Sequence, residues 1–288
     1  MNNYIIYTDS ACDITPDILA DWGVKYLPLT FKFNDEDKIY DDFSIPYPEF
    51  YGKMRNGGIA KTSALNIDTF YNAILDDAKA GNDIIYLGFS SGLSTTFNSG
   101  RMALERLAEE FPEQKFIAFD TLCASAGQGL LLYFAVQKKN EGATIDDVLQ
   151  LVTDLRFKLC HWFTVDDLEY LKRGGRVSPA VAFVGNALGI KPVLHVDDEG
   201  HLINVTKSRG RRAAIKALAD KVGELADSPS DCTIFVCHGD CQNDVDILDG
   251  ILASQYGNKI QLTVNTGTVI GSHSGPGTLA IFFIGKNR

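Results

Sequence analysis

Residues 84–97 read IIYLGFSSGLSTTF. The apolar run Ile84–Phe89 suits a buried strand, and it stops abruptly in Ser90, Ser91, Gly92 and, after Leu93, Ser94. Two threonines follow, and the apolar spacing from about Asn98 to Glu110 predicts a helix. A strand that ends in hydroxyls at the mouth of a helix gathers those hydroxyls with the free N–H groups of the first helical turn, where the helix dipole favours negative charge. The stretch therefore predicts a strand–helix unit whose connecting loop builds an oxyanion-friendly pocket, open to chemistry, to binding alone, or to a glycine-serine turn without a ligand.

The same alternation extends on both sides. YIIYT (4–8) is a short apolar strand ending at Asp9-Ser10, and Thr15-Pro16 opens a helix to about Trp22. VKYLPLTFKF (24–33) alternates as one strand, with Pro28 marking an edge or a bulge. Helices are expected over Tyr47–Arg55, stopped by Asn56-Gly57-Gly58, and near Ile67–Ala80. KFIAFD (115–120) is a further strand, ending at Asp120-Thr121 before a small-residue helix start at Cys123–Gly129. Strands alternating with helices predict a mostly parallel sheet with right-handed crossovers, and ligands gather beyond the carboxyl ends of such strands. Asp9-Ser10, Thr62-Ser63, Ser90–Ser94 and Asp120-Thr121 fall at those ends or in the loops beside them.

After a helix of about Thr144–Leu159 the pattern changes. IKPVLHVDDEGHLINVTKS (190–208) reads as a hairpin around Asp-Asp-Glu-Gly. A helix over Arg211–Leu225 follows, then strand 232–238, helix 244–256, strand 259–265 and a last strand at 279–285. The reading is an α/β protein of two domains in close contact, residues 1–160 and 161–288, the second a mixed α/β unit.

The chain has 288 residues and a formal charge of −10, which opposes nucleic acid and anionic membrane surfaces. No apolar run reaches the ~20 residues of a membrane span, and MNNYIIYTDS lacks the basic start of a signal peptide, so the expected location is the cytoplasm without stable membrane insertion. The six cysteines form no C-x-x-C pair and read as reduced thiols. CHGDC (237–241) fits no common zinc spacing and reads as strand-end packing, so no metal is expected. There is no G-x-x-x-x-G-K-[ST] segment, and no nucleotide or other cofactor is expected.

GFSSG (88–92) matches the G-x-S-x-G nucleophile elbow with Ser90 at its centre, and His273 lies downstream. A serine hydrolase is therefore the alternative reading, against which stand the absence of an HGGG-type segment and a helix that starts only several residues after Ser90. GSHSGPG (271–277) is read as a loop whose glycines and Pro276 present His273 into a cleft. YLKRGGRV (170–177) ends a short helix and carries Lys172, Arg173 and Arg176. KSRGRR (207–212) places Arg209, Arg211 and Arg212 at a helix start, where cations oppose the dipole, favouring partner docking over a solvated turn.

Seven segments in order resemble the DegV family: TDSACDIT (8–15), KTS (61–63), SSGLSTTF (90–97), DTLCASAGQG (120–129), YLKRGGRV (170–177), GIKPVL (189–194) and IGSHSGPG (270–277). They span nearly the whole chain, about residues 3–286. Thr95, Phe97, Ala64-Leu65, Thr121 and Leu279 depart from the usual residues. The resemblance implies two α/β domains with a long-chain fatty acid, such as palmitate, buried between them. It implies a carboxylate held by Thr62, Ser94 and His273, with Ser63 and Ser91 beside them. It also implies a non-enzymatic role: like the fatty-acid-binding subunits of bacterial fatty acid kinase, the chain would present the carboxyl group to a separate ATP-dependent kinase that makes acyl-phosphate for phospholipid synthesis. Arg176, Arg209 and Arg212 are the candidate docking residues for that kinase. Lys61 is the one base in the three pocket loops.

Overall fold

The computed structural model describes residues 3–177 and 189–288. The apolar segment at the start forms β1 (Tyr4–Asp9), followed by a 3-10 turn over Ser10–Cys12. Pro16, with its φ preset for a first helical position, opens α1 (Pro16–Asp21). The segment 24–33 is not one strand. Pro28 has no N–H to offer a ladder, and the chain divides there into β2 (Val24–Leu27) and β3 (Thr30–Phe33), which belong to different sheets. β3 pairs antiparallel with β4 (Tyr40–Asp41) and with β5 (Ala60–Ser63), and α2 (Tyr47–Arg55) lies between those two strands in sequence. Thr62 and Ser63 thus sit on a strand of a separate three-stranded sheet, not in a loop at the end of the main one.

Asn66 caps α3 (Ile67–Lys79) by accepting from the Thr69 N–H at 2.9 Å. The deciding stretch forms β6 (Asp83–Gly88), the hydroxyl-rich loop and α4 (Thr96–Glu110). β7 (Phe116–Asp120) completes a parallel sheet of order β2-β1-β6-β7. α5 (Ala126–Asn140) starts three residues later than the sequence suggests, and α6 (Ile145–Arg156) opens with a Thr144/Asp147 capping box.

β8 (Leu159–Thr164), unread in the sequence because LCHWFT mixes His, Trp and Thr with its apolar residues, begins the second sheet. α7 (Glu169–Arg173) is followed by the β9 (Ile190–Val196) and β10 (Leu202–Arg209) hairpin. Then come α8 (Arg211–Leu225), β11 (Phe235–His238), α9 (Gln242–Tyr256), β12 (Leu262–Asn265), α10 (Thr268–Ser274) and β13 (Leu279–Ile284). The sheet order is β10-β9-β8-β13-β11-β12, parallel only at β11–β12. This is the mixed second domain of a two-domain α/β fold. His273 lies in the last turn of α10, not in a glycine loop; the glycines that follow it end the helix, with Gly275 at φ 81°.

Alternation along the strands separates the packing layers. Ile84 and Tyr86 face α3 and α4, whereas Ile85 and Leu87 face α5 and α6. Phe163, Phe235 and Phe282 of the mixed sheet join that second cluster, while Trp162, Ile281 and Phe283 turn to α8 and α9. α5 is therefore apolar nearly all round, with Leu130, Leu131 and Leu132 all buried, and is sandwiched between the two sheets. Its one buried amide, Gln128, donates to Thr8 Oγ1 at 2.9 Å. No helix among the described residues is long and apolar enough to cross a membrane.

Candidate functional site

A cavity of about 590 Å³ opens where β5, the loop after β6, the end of α7 and α10 meet the inner face of the mixed sheet. Its walls are largely apolar, including Leu29, Leu93, Leu171, Val269, Phe163 and Phe282. Thr62, Ser63, Ser91, Ser94 and His273 all line it, so the sequence-derived set converges on one space.

Within that set one direct pair forms. Thr62 Oγ1 lies 2.8 Å from His273 Nε2, joining β5 to α10 across 211 residues of chain. Burial, with the Arg176 guanidinium charge adding to it, holds the His273 pKa down at about 4, so the imidazole is neutral at physiological pH. His273 Nδ1 is buried and has no hydrogen-bond partner among the described residues. The ring rests against Gly174, where a Cβ would collide with Nδ1.

Ser94 is tied into its own turn. Its hydroxyl donates to Thr96 Oγ1 at 2.9 Å and accepts from the Thr96 N–H at 3.2 Å, steadying the start of α4. Ser91 is exposed, and its N–H donates to Asp120 Oδ1 at 3.2 Å. Ser90 is wholly buried: its hydroxyl donates to the Gly200 carbonyl at 2.9 Å and accepts from the Gly92 N–H at 3.2 Å. Its hydroxyl is bonded to backbone groups, and His273 is bonded to Thr62, so the nucleophile–base pair that a hydrolase needs is not formed here.

Arg176 stands on the cavity wall rather than on a free surface. Its Nε and Nη2 both donate to the Leu93 carbonyl, at 3.1 and 2.9 Å, and its Nη1 donates to Gly174. It ties the end of α7 to the hydroxyl loop, and with Arg173 it adds cations to a cavity for which sequence reasoning supplied only Lys61. Arg209, at the end of β10, and Arg212, in the first turn of α8, are exposed and form no ion pair among the described residues. Arg211 between them is structural, bridging Asp244 at 2.8 Å and donating to the Gly277 carbonyl at 2.6 Å.

Sequence reasoning missed the groups that position α10. Asp42 Oδ1 accepts from the Thr268 N–H at 2.8 Å and from its hydroxyl at 2.7 Å, holding the helix start. Asp13 Oδ1 accepts from the Gly267 N–H at 2.9 Å, and its other oxygen accepts from Ser125. Burial and the neighbouring Asp42 push the Asp13 carboxyl well above the usual carboxylate range. The sequence signal for Asp13 was its place in TDSACDIT; Asp42 carried none.

The family model described as "Uncharacterised protein, DegV family" matches residues 4–286. A DegV domain-containing protein of Clostridium perfringens is 40% identical over 289 residues, covering 100% of this chain and 99% of its own length. Among solved structures, a fatty-acid-binding DegV family protein from Thermus thermophilus superposes with a TM-score of 0.87 at 29% identity, covering 98% of this chain and 99% of that one. A DegV lipid-binding protein from Thermotoga maritima does so with a TM-score of 0.85 at 29% identity, covering 99% of both. With the model spanning both sheets and the cavity between them, the chain belongs to the DegV family.

Proposed function

We propose that the cavity binds a long-chain fatty acid, with its carboxylate at Thr62 and His273 and its tail against the apolar walls of the mixed sheet. The observation that carries this reading is the meeting of a mainly apolar 590 Å³ space with one hydroxyl–imidazole pair. Burying ~15 methylenes at ~0.8 kcal/mol each gives a gross term of about 12 kcal/mol, much of it offset by ordering the chain and by association. A buried carboxylate needs donors. With the imidazole proton on Nε2 and donated to Thr62 Oγ1, the threonine hydroxyl hydrogen is free to point at the ligand. Ser94 and Ser63, lining the same space, are the next donors. The similarity to a fatty-acid-binding relative at 29% identity supports the same reading.

Thr62 and His273 are neutral, and the Arg176 guanidinium on the same wall is engaged by the Leu93 and Gly174 carbonyls, so a carboxylate held at the pair stays ionised and nucleophilic, which suits a carrier that hands it to a separate ATP-dependent kinase and has no turnover of its own. Arg209 and Arg212 are the proposed docking groups, because they are exposed cations in a chain of charge −10. Native mass spectrometry of protein purified from cells tests the binding step: a mass shift released as a free long-chain acid is expected. Protein that is always empty and takes up no added fatty acid overturns it. For the hand-over, acyl-phosphate formation with an added fatty acid kinase is expected to fall on Arg209→Glu with Arg212→Glu, most at low salt, with lipid affinity intact. A fluorophosphonate probe is expected to leave Ser90 unlabelled.

A further inference from the structure

Two carboxyl groups without a counter-ion hold the start of the helix that carries His273. Asp13 is wholly buried, Asp42 is 4% exposed, and neither forms an ion pair among the described residues. They flank Gly267, the residue before α10. A Cβ there would lie 2.6 Å from Asp13 Oδ1 and 3.2 Å from Asp42 Oδ1, so these oxygens are no farther apart than the sum of the two distances. The other titratable groups facing the pair are Cys12, Tyr26 on β2, Tyr47 and Tyr51 on α2, and Cys237 on β11. Burial holds each of them neutral, and none brings a positive charge.

The two groups are bonded differently. Asp42 Oδ1 gathers the Thr268 N–H and hydroxyl, the Phe43 N–H at 3.2 Å and the Val269 N–H at 3.4 Å, a donor set that favours the ionised form. Asp13 receives one N–H, from Gly267, and its Oδ2 meets the Ser125 hydroxyl. That hydroxyl also lies 3.0 Å from Cys237 Sγ, and its single hydrogen can serve only one of the two neighbours. Like charges this close in a dry interior do not both ionise. The charge belongs with the larger donor set, at Asp42.

We infer that Asp13 is a carboxylic acid in the folded protein, its proton on Oδ2 and donated to Ser125 Oγ, and that in this neutral form it is a positioning residue for His273. The bond to Ser125 then runs from Asp13, and the serine hydrogen turns to the sulfur. Asp13 Oδ1 still accepts from Gly267, beside an ionised Asp42 that it does not repel. Both groups thus fix the start of α10, and α10 sets the imidazole against Thr62. Only the affinity arm of the test rests on the fatty-acid reading of the cavity.

Infrared difference spectra, octadecanoic acid titrations and denaturant unfolding of wild type, Asp13→Asn and Asp42→Asn test this. Ligand-free wild type is expected to show a protonated-carboxyl carbonyl band that Asp13→Asn lacks. Asparagine reproduces the neutral acid, accepting with Oδ1 and donating to Ser125, and it suits the φ of 57° at this position. Asp13→Asn is therefore expected to bind within about threefold of wild type, whereas Asp42→Asn, which removes the charge at the helix start, binds about tenfold more weakly. Folding takes up the Asp13 proton that the unfolded chain has released. Wild type is thus expected to lose stability against Asp13→Asn as pH rises from about 5 to about 8. A band unchanged in Asp13→Asn, parallel stability curves, or two asparagine variants equal in affinity overturns the inference. Weak binding by Asp13→Asn with Asp42→Asn intact overturns it too, by placing the proton on Asp42. If no variant and no wild type takes up octadecanoic acid, the fatty-acid reading falls, and the band and the stability curves still decide where the proton lies.

Discussion

Gly174 and His273 pack so closely that no side chain fits at position 174: a Cβ there would collide with the imidazole Nδ1. The backbone at Gly174 is ordinary, with φ −71°, so alanine there is conformationally allowed and its effect comes from the collision alone. Gly174→Ala is expected to push His273 away from Thr62 and weaken fatty acid binding by about tenfold or more, with little change in melting temperature. Calorimetric titration beside a thermal scan separates the two. Unchanged affinity would mean that the ring does not orient the Thr62 hydroxyl toward the carboxylate.

Thr62→Val removes one hydroxyl at nearly constant shape, and the loss of one hydrogen bond to a charged group predicts roughly 10- to 150-fold weaker binding, with His273→Ala similar. Thr62→Ser is expected to retain most of the affinity. Ser94→Ala also removes the support of the Thr96 N–H, so both affinity and stability are expected to fall. Ser91→Ala, at an exposed turn, is expected to change little. A reversed order of the two serines would reassign the carboxylate site within the loop.

The low pKa of His273 predicts a specific pH dependence. Its folded value is about 4 against 6.5 for an unperturbed histidine. Between those values the unfolded chain binds a proton that the folded chain does not, so stability declines as pH falls through that window and levels off below it. The total is about 3 kcal/mol. His273→Gln lacks this contribution. Denaturant unfolding of the ligand-free proteins from pH 7.5 to 4 is expected to give curves that converge or cross as pH falls; parallel curves would refute the assignment.

Arg176→Met deprives the Leu93 and Gly174 carbonyls of their donors and should cost about 2–3 kcal/mol of stability. It also removes the positive charge beside His273, so the histidine pKa is expected to rise toward its ordinary value, observable by NMR titration of the ring. By contrast, Arg209→Glu and Arg212→Glu, without ion partners among the described residues, are expected to leave stability within about 0.5 kcal/mol.

The elements legible in the sequence were those with an unbroken apolar run or a clear helical spacing between turn or cap residues. β1, β6 and β7 are short apolar runs closed by turn residues, and α2, α3, α4 and α6 show clear amphipathic spacing or caps. Three errors have physical causes. Pro28 marked a break, but whether the chain stays in its sheet beyond it depends on tertiary pairing. β8 mixes two histidine- and tryptophan-sized polar groups into an apolar pattern because both of its faces are buried. Glycines flanking His273 suggested a loop, whereas α10 is held helical from outside by Asp42, 226 residues away. The set Thr62, Ser94 and His273 came from the motifs of the family resemblance, while the hydroxyls after β6 and the glycines around His273 marked the same neighbourhood by themselves. The structural roles of Arg176, Asp13 and Asp42 were not legible, because they exist only in contacts between distant segments.

The burial of α5 between both sheets has a consequence for how the protein comes apart. Separating the two domains would expose Leu130, Leu131 and Leu132 together with Phe163, Phe235 and Phe282, a loss on the order of 10 kcal/mol at ~2 kcal/mol for each side chain. Neither sheet can therefore melt while the other stays folded. Two domains in architecture are one unit in thermodynamics, and a calorimetric scan should trace a single peak. By the same token the cavity cannot open by swinging its two walls apart as a hinge, and the Arg176 bonds to the Leu93 carbonyl hold the end of α7 on the hydroxyl loop without any help from domain closure.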